Sequence, residues 1–513
     1  MTTTPHRALS TLMAAALVAV AGCTPTAPDE TAARPDPIVW QTCNTADDPL
    51  GQQLNSVGAL CGTYDVPLDY AAPNNGVLTI AAAFRPASDP AHRIGTLLVE
   101  TGGPGPSRDG VIVATAGTEG LGPLPPFVAE RFDLVAIDPR FFGLSSPRDC
   151  GWRTDTYLSQ VAQMSPVTDE ALTISSAAAR TLAEQCTPHA EALKHASTRN
   201  IARDIDQLRQ RLSLPRISYL GWSYGTYLGA VYAQMFGDSV DRLVLDSSLN
   251  PDTYGPGLTR DTAPANAAAL SHWARWAAIR NSTYHLGDTE ADVLATIDDL
   301  ISRAAQHPLI VGAHHVTADL VPGLLLTADD SDTSYREFAR LVQQLAAAAN
   351  GVPGPGSELL DAKLGLYSLA EPTPEMWFSA TVANQCADRG AERRPEAYGE
   401  DIRAHAREEP IYGPLARHIT PCAFWPTTPL ETPTRIDTPH PALLVGATGD
   451  PVAPVVGQQT LRRKLRGSRI LLLDNSYRHG VYPNAGSECI AAAVETYLLT
   501  ERLPEHDLTC PSA

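Results

Sequence analysis

Short apolar runs alternate with amphipathic stretches through the first half of this chain. Residues 77–84, Thr96-Leu97-Leu98-Val99 and residues 132–137 each read as a strand. Residues 200–212 put Ile201, Ile205, Leu208 and Leu212 on one helical face, with Ser197 or Thr198 available as the cap. That helix leads into Ile217-Ser218-Tyr219-Leu220, a short buried strand. The helical spacing of residues 226–235 follows, and then Leu243-Val244-Leu245 as the next strand. Strands alternating with helices build an α/β fold, a mostly parallel sheet covered on both faces. After Asn250 the pattern changes. To about residue 430 the chain is mostly Ala-rich and helical, broken by Gly351-Val352-Pro353-Gly354-Pro355-Gly356, and a Pro-rich segment then leads to two more strands, residues 442–445 and 469–473. The pattern predicts one α/β core, residues 41–250 and 431–513, interrupted by a helical cap at 251–430.

The N-terminal pattern differs from everything after it. Arg7 precedes an apolar run, residues 8–21, too short to span a bilayer as a finished helix but right for a signal-peptide core. It ends in Val20-Ala21-Gly22-Cys23, which resembles the bacterial lipobox. The expectation is a lipoprotein signal peptide at 1–22 and an exported protein held to the extracytoplasmic face of the cell membrane only through lipid on Cys23, with an ordinary cleavable signal as the alternative. Residues 23–40, rich in Pro, Thr, Ala and Asp, read as a flexible tether.

Composition removes other classes. The 513 residues are 43% hydrophobic and 19% charged, as in an ordinary globular protein. Thirty-eight basic against 57 acidic residues give a net charge of -19, which repels phosphate backbones and excludes nucleic acid as a partner. Eight cysteines remain after Cys23, and an even number in an exported chain argues for disulfides. They fall into successive local pairs, Cys43 with Cys61, Cys150 with Cys186, Cys386 with Cys422, and Cys489 with Cys510, although spacing does not prove connectivity. None has zinc-ligand spacing, so no metal is expected.

The candidate chemistry centres on Gly221-Trp222-Ser223-Tyr224-Gly225, a serine between two glycines where a strand meets a helix. Such a nucleophile elbow lifts the hydroxyl clear of a tight turn and aims the helix N–H groups at an oxyanion beside it. A serine nucleophile needs a base, and the base an orienting acid. Asp450 follows the strand at 442–445, and His479 follows that at 469–473. Both therefore project from the sheet edge where Ser223 sits, in the order Ser, Asp, His of α/β-hydrolases. Asp246, just after residues 243–245, is the competing acid, with a turn hydrogen bond as its other reading. The oxyanion hole is assigned to the N–H groups of Tyr224 and Gly103, the latter in Gly102-Gly103-Pro104-Gly105 after an earlier strand.

With these motifs the chain resembles the exported tripeptidyl aminopeptidases of the α/β-hydrolase superfamily, related to prolyl iminopeptidases. The likeness rests on Val66-Pro67-Leu68-Asp69-Tyr70, the Gly102–Gly105 loop, Asp138-Pro139-Arg140, the elbow with its flanks Tyr219 and Tyr227, Asp450-Pro451-Val452, His479-Gly480 and the terminal cysteines. It extends from Cys43 to Cys510. The resemblance implies Ser223 as nucleophile, Asp450 as acid, His479 as base, removal of short peptides from a free N-terminus, and pairing of Cys489 with Cys510. Two departures stand out: Pro106, Ser107 and Arg108 where the family continues with glycine and a serine, and Phe141-Phe142 where it has glycine. Their bulk near the oxyanion loop is expected to narrow the acyl pocket or to shift substrate preference. The reading is therefore a serine exopeptidase acting through an acyl-enzyme and needing no cofactor. An ester or lipid hydrolase on the same triad is the alternative, and a non-enzymatic surface-binding protein is opposed by the intact Ser, Asp and His. For the substrate's ammonium group the cap offers Asp388, near Cys386. The peptide length released and the oligomeric state are left open.

Overall fold

The computed structural model describes residues 36–118, 120–352 and 354–512. The expectations for Cys23, for the signal peptide and for all but the last residues of the tether lie outside these. Residues 37–513 form one compact unit.

Among the described residues, nine strands form the main sheet: β1 (Leu60–Pro67), β2 (Val77–Arg85), β3 (Gly95–Glu100), β4 (Phe132–Ile137), β5 (Ile217–Trp222), β6 (Val240–Asp246), β9 (Leu443–Ala447), β10 (Arg469–Leu473) and β11 (Leu508–Cys510). Their order is β1-β2-β4-β3-β5-β6-β9-β10-β11. β2 runs antiparallel to β1 and β4, and every later pairing is parallel. This is the α/β-hydrolase arrangement. All six residues of β5 are buried, as are all five of β9, because helices cover both faces; such strands read as continuous apolar runs. Edge strand β1, which has no such run, escapes a search for apolar stretches.

The strand order also locates a crevice. The chain leaves β3 for β4 and returns to β5 on the other side of β3, so the loops at the carboxyl ends of β3 and β5 diverge there. Helix Thr198–Arg211 feeds β5, with Ile201, Ile205 and Leu208 fully buried. Its cap is Ser197, whose side chain accepts from the Asn200 N–H. Helix Tyr224–Phe236 leaves the elbow and is buried from Tyr224 to Ala233, which sets the turn between two buried elements.

Between β6 and β9 lie the expected helices, with one addition: a hairpin of β7 (Leu309–Val311) and β8 (His314–Val316). The segment does not pack as one body. Helices Thr262–Ala278, Glu290–Gln306, Asp332–Ala349 and Glu358–Tyr367 share a core of their own, joined by Tyr412, Leu415 and Ala416. Helix Phe378–Asp388 and residues 421–424 instead pack into the core beside the sheet. The helices expected as a cap at 251–430 are thus shared between two cores: Ala-rich amphipathic helices look alike whichever core receives their apolar face. Disulfides join Cys43 to Cys61, Cys150 to Cys186, Cys386 to Cys422, and Cys489 to Cys510.

Candidate active site

Ser223 sits between β5 and its helix at φ 53°, ψ -119°, a conformation costly to any side-chain-bearing residue. The surroundings hold it there. Its N–H donates to the Asp246 carbonyl at 3.0 Å, and its carbonyl accepts from the Thr226 N–H at 2.9 Å. The flanking glycines are required by close approach: a Cβ on Gly221 would lie 2.7 Å from the Gly225 carbonyl oxygen, and one on Gly225 would lie 2.9 Å from Glu100. Burial pushes the Glu100 carboxyl up to about 8, so it lies under the elbow largely uncharged at neutral pH.

The loop after β3 packs directly on the nucleophile. Gly102 has φ 103°, and a Cβ there would be 2.7 Å from the Trp222 carbonyl oxygen and 3.1 Å from the Ser223 Cβ. Gly103 lines the same cavity as Ser223. Behind the loop, the Ser107 and Arg108 N–H groups donate to Asp138, while the Arg108 guanidinium bridges Asp138 and Asp48 at 2.7 Å each. Arg108 is buried in that bridge and lines none of the cavities around Ser223. Phe141 and Phe142 are likewise fully buried and are not among the residues lining the cavity. The expected narrowing of the acyl pocket is therefore corrected: these departures are satisfied inside the fold.

Asp450 and His479 meet. The imidazole Nδ1 lies 3.0 Å from Asp450 Oδ2, and Asp450 Oδ1 accepts from the Val452 and Ala453 N–H groups at 2.9 Å. Burial pushes the imidazole pKa down, but the charge and hydrogen bond of Asp450, with Asp246 further off, outweigh it and leave His479 above the ordinary histidine value. Asp246 has a different task. Its carboxylate, pushed up to about 6 by burial, accepts from the Val481 and Tyr482 N–H groups and from the Ser247 hydroxyl. Its carbonyl holds Ser223, so one residue ties the elbow to the histidine loop.

A cavity of about 290 Å³ opens beside Ser223 and Gly103, walled on the far side by residues 326–328, Tyr412 and Asn266. A second, of about 210 Å³, shares Ala162, Gln163, Leu258, Thr259 and His418 with it. Among the described residues, neither lining includes an aspartate or glutamate. Asp388 is elsewhere: buried, it accepts from the Thr198 N–H at 2.8 Å and from the Thr198 hydroxyl, at the start of helix Thr198–Arg211. The expectation that it meets a substrate ammonium is corrected, because both of its oxygens face a helix end. At the waist between the cavities, the His418 Nδ1–H donates to the Leu415 carbonyl, and burial pushes its pKa down. It presents a neutral imidazole with Nε2 as an acceptor. Gln163 and His418 sit in no recognisable motif, and only the folded chain brings them near the elbow.

The family described as TAP-like protein matches residues 409–510. Across 92% of its length the chain is 31% identical to the tripeptidyl aminopeptidase of Streptomyces lividans, covering 86% of that protein. It is similar at 28% identity to serine protease Hip1 of Mycobacterium tuberculosis, with 92% of this chain and 91% of that protein aligned. Similarity at 27% identity extends to carboxylesterase B of Mycobacterium tuberculosis, over 88% of this chain and 86% of that protein.

Proposed function

This chain belongs to the tripeptidyl aminopeptidase family of the α/β-hydrolase superfamily, and from that premise we propose that it is an exported serine exopeptidase that releases short peptides from free N-termini. Ser223 Oγ attacks the scissile carbonyl while His479 Nε2 takes its proton, and the N–H groups of Gly103 and Tyr224 hold the oxyanion. His479 then gives the proton to the leaving amine as the C–N bond breaks. Water, deprotonated by the same imidazole, attacks the acyl-enzyme, and the peptide acid leaves as Ser223 recovers its proton. Asp450 keeps the proton of the imidazole on Nδ1 and stabilises the imidazolium.

The observation that carries this reading is the Asp450–His479 contact on the same sheet edge as an elbow serine whose backbone Asp246 ties to the histidine loop. The two adjoining cavities supply room for several residues of an acyl chain. With no carboxylate among the described residues of their linings, the amino terminus is read by neutral acceptors, His418 Nε2 among them. The cap is the part of the chain that closes over these cavities, and lipid on Cys23 is the proposed attachment to the membrane.

A second reading, an ester hydrolase, is favoured by the largely apolar lining around Ser223 and by the carboxylesterase among the relatives. Parallel assays of tripeptide amides and acyl esters decide between them. The exopeptidase reading expects turnover of the amides, lost in Ser223→Ala along with labelling by a fluorophosphonate. Turnover of esters alone overturns it.

A further inference from the structure

The loop that carries His479 is held from two sides. From the core, the Ser247 hydroxyl accepts from the Gly480 N–H at 2.8 Å, and Asp246 takes the next two N–H groups. From the helical insertion, the Ala328 carbonyl accepts from the His479 N–H itself at 2.8 Å. Asp330, two residues on, accepts from the Tyr477 N–H at 2.7 Å, the Ser476 hydroxyl at 2.9 Å and the Arg478 Nε–H at 2.9 Å. Asp329 takes a second arm of Arg478 at 2.9 Å. One short segment of the insertion thus satisfies a donor on each of the four residues 476–479.

That segment is itself fixed from behind. Half-buried Lys363 donates to the Leu324 and Leu326 carbonyls at 3.1 and 3.3 Å, and the Tyr412 hydroxyl donates to the Leu325 carbonyl at 2.9 Å. Residues 326–328, between the two sets of bonds, wall the cavity in front of Ser223. Hydrogen bonds at both ends of residues 324–330 therefore link the interior of the insertion, through the chain that walls the cavity, to the loop of His479.

We propose that Asp330 is a positioning residue for His479, so that the base takes its working place only with the wall of the substrate cavity seated against its loop. The inference rests on the reading of His479 as base. The charged groups nearest the imidazole are Asp450 and Asp246 of the core; Asp329 and Asp330 are matched against Arg478. Replacing Asp330 therefore acts on His479 by moving its loop, not by removing a charge that faces the ring.

The experiment compares wild type, Asp330→Asn, Asp330→Glu and Arg478→Gln, in the full mature protein, on a tripeptide amide and on an activated acyl ester. Asparagine keeps the shape but turns an amide N–H₂ toward Arg478 or the loop donors. A base displaced by a fraction of an ångström loses about 10- to 100-fold in rate, so kcat of Asp330→Asn is expected to fall by that factor on both substrates. KM should stay within about twofold, since no group touching substrate is altered. The acid limb of the pH profile should move down, because the raised pKa of His479 depends on its bond to Asp450. Asp330→Glu should recover part of kcat, and Arg478→Gln, which leaves the Ser476 and Tyr477 bonds in place, should lose less.

An unchanged kcat in Asp330→Asn overturns the proposal. So does a loss of activity that only tracks a lowered melting temperature while the acid limb stays in place. If the wild type cleaves esters but no peptide, the exopeptidase reading fails and the Asp330 comparison is read on the ester. If His479→Gln keeps full activity, the base assignment and this inference fall together.

Discussion

Ser223, Asp450 and His479 owe their placement to backbone contacts that differ for each, and substitutions should separate their roles from those of their neighbours. Asp450→Asn removes the acceptor that fixes the imidazole tautomer, and a loss of kcat on the order of 10⁴-fold is expected. Asp246→Asn should behave otherwise. Its carboxylate is buried and serves the N–H groups of Val481 and Tyr482, so the change should cost roughly 1–3 kcal/mol of stability in a denaturation experiment, with a smaller effect on kcat. A crippled Asp246→Asn beside an active Asp450→Asn would reassign the acid. The pH dependence has a definite sign. As the proposed base His479 would work as neutral imidazole, and its pKa is raised, so kcat/KM should fall as pH drops through a midpoint above the ordinary value of about 6.5. In Asp450→Asn, burial acts without its counterweight, and the residual activity should persist to lower pH. These residues were legible in the sequence because each stands just past the carboxyl end of a recognisable strand. Asp388 was misread because an acidic residue on an amphipathic helix gives no sign of whether it meets water, a ligand or, as here, the end of another helix.

The oxyanion hole proposed at the glycine loop after β3 would be the work of an element rather than of one residue. Gly102 allows the loop to lie against the elbow, and its positive φ and the 2.7 Å approach of the Trp222 carbonyl leave no room for a Cβ. Gly102→Ala should push the loop off Ser223 and weaken the Gly103 donor, lowering kcat by about 10²- to 10³-fold in steady-state assays while the protein remains folded. A variant with full kcat would mean that the loop supplies no oxyanion donor. The loop was visible as glycines following an apolar run. What anchors it was not: Pro106, Ser107 and Arg108 look like intrusions into a motif until Asp138 and Asp48, far off in the chain, are seen to meet the guanidinium. The same holds for strand β1, which lies at the sheet edge and lacks the apolar run that marks buried strands.

For the whole molecule, the central parallel strands and the chain order of Ser223, Asp450 and His479 past their carboxyl ends were readable from one sequence, whereas the division of the insertion between two cores was not, because helix periodicity carries no address for its apolar face. The cavities join segments from 103 to 452, a long-range assembly with no local signature. At this scale lipidation is tested by Cys23→Ala, which should move the protein from the membrane fraction to the soluble one with its specific activity unchanged; a variant that stays with the membrane contradicts the lipobox assignment. The central claim, a serine exopeptidase working from free N-termini, is tested most directly by incubating the mature protein with one peptide in free and N-acetylated forms and following the first products by mass spectrometry, with Ser223→Ala as the blank. The account predicts that a short peptide leaves first from the free N-terminus, that the acetylated form reacts far more slowly, and that the blank releases nothing. Internal cleavage, equal rates for the two forms, or product from Ser223→Ala would contradict it.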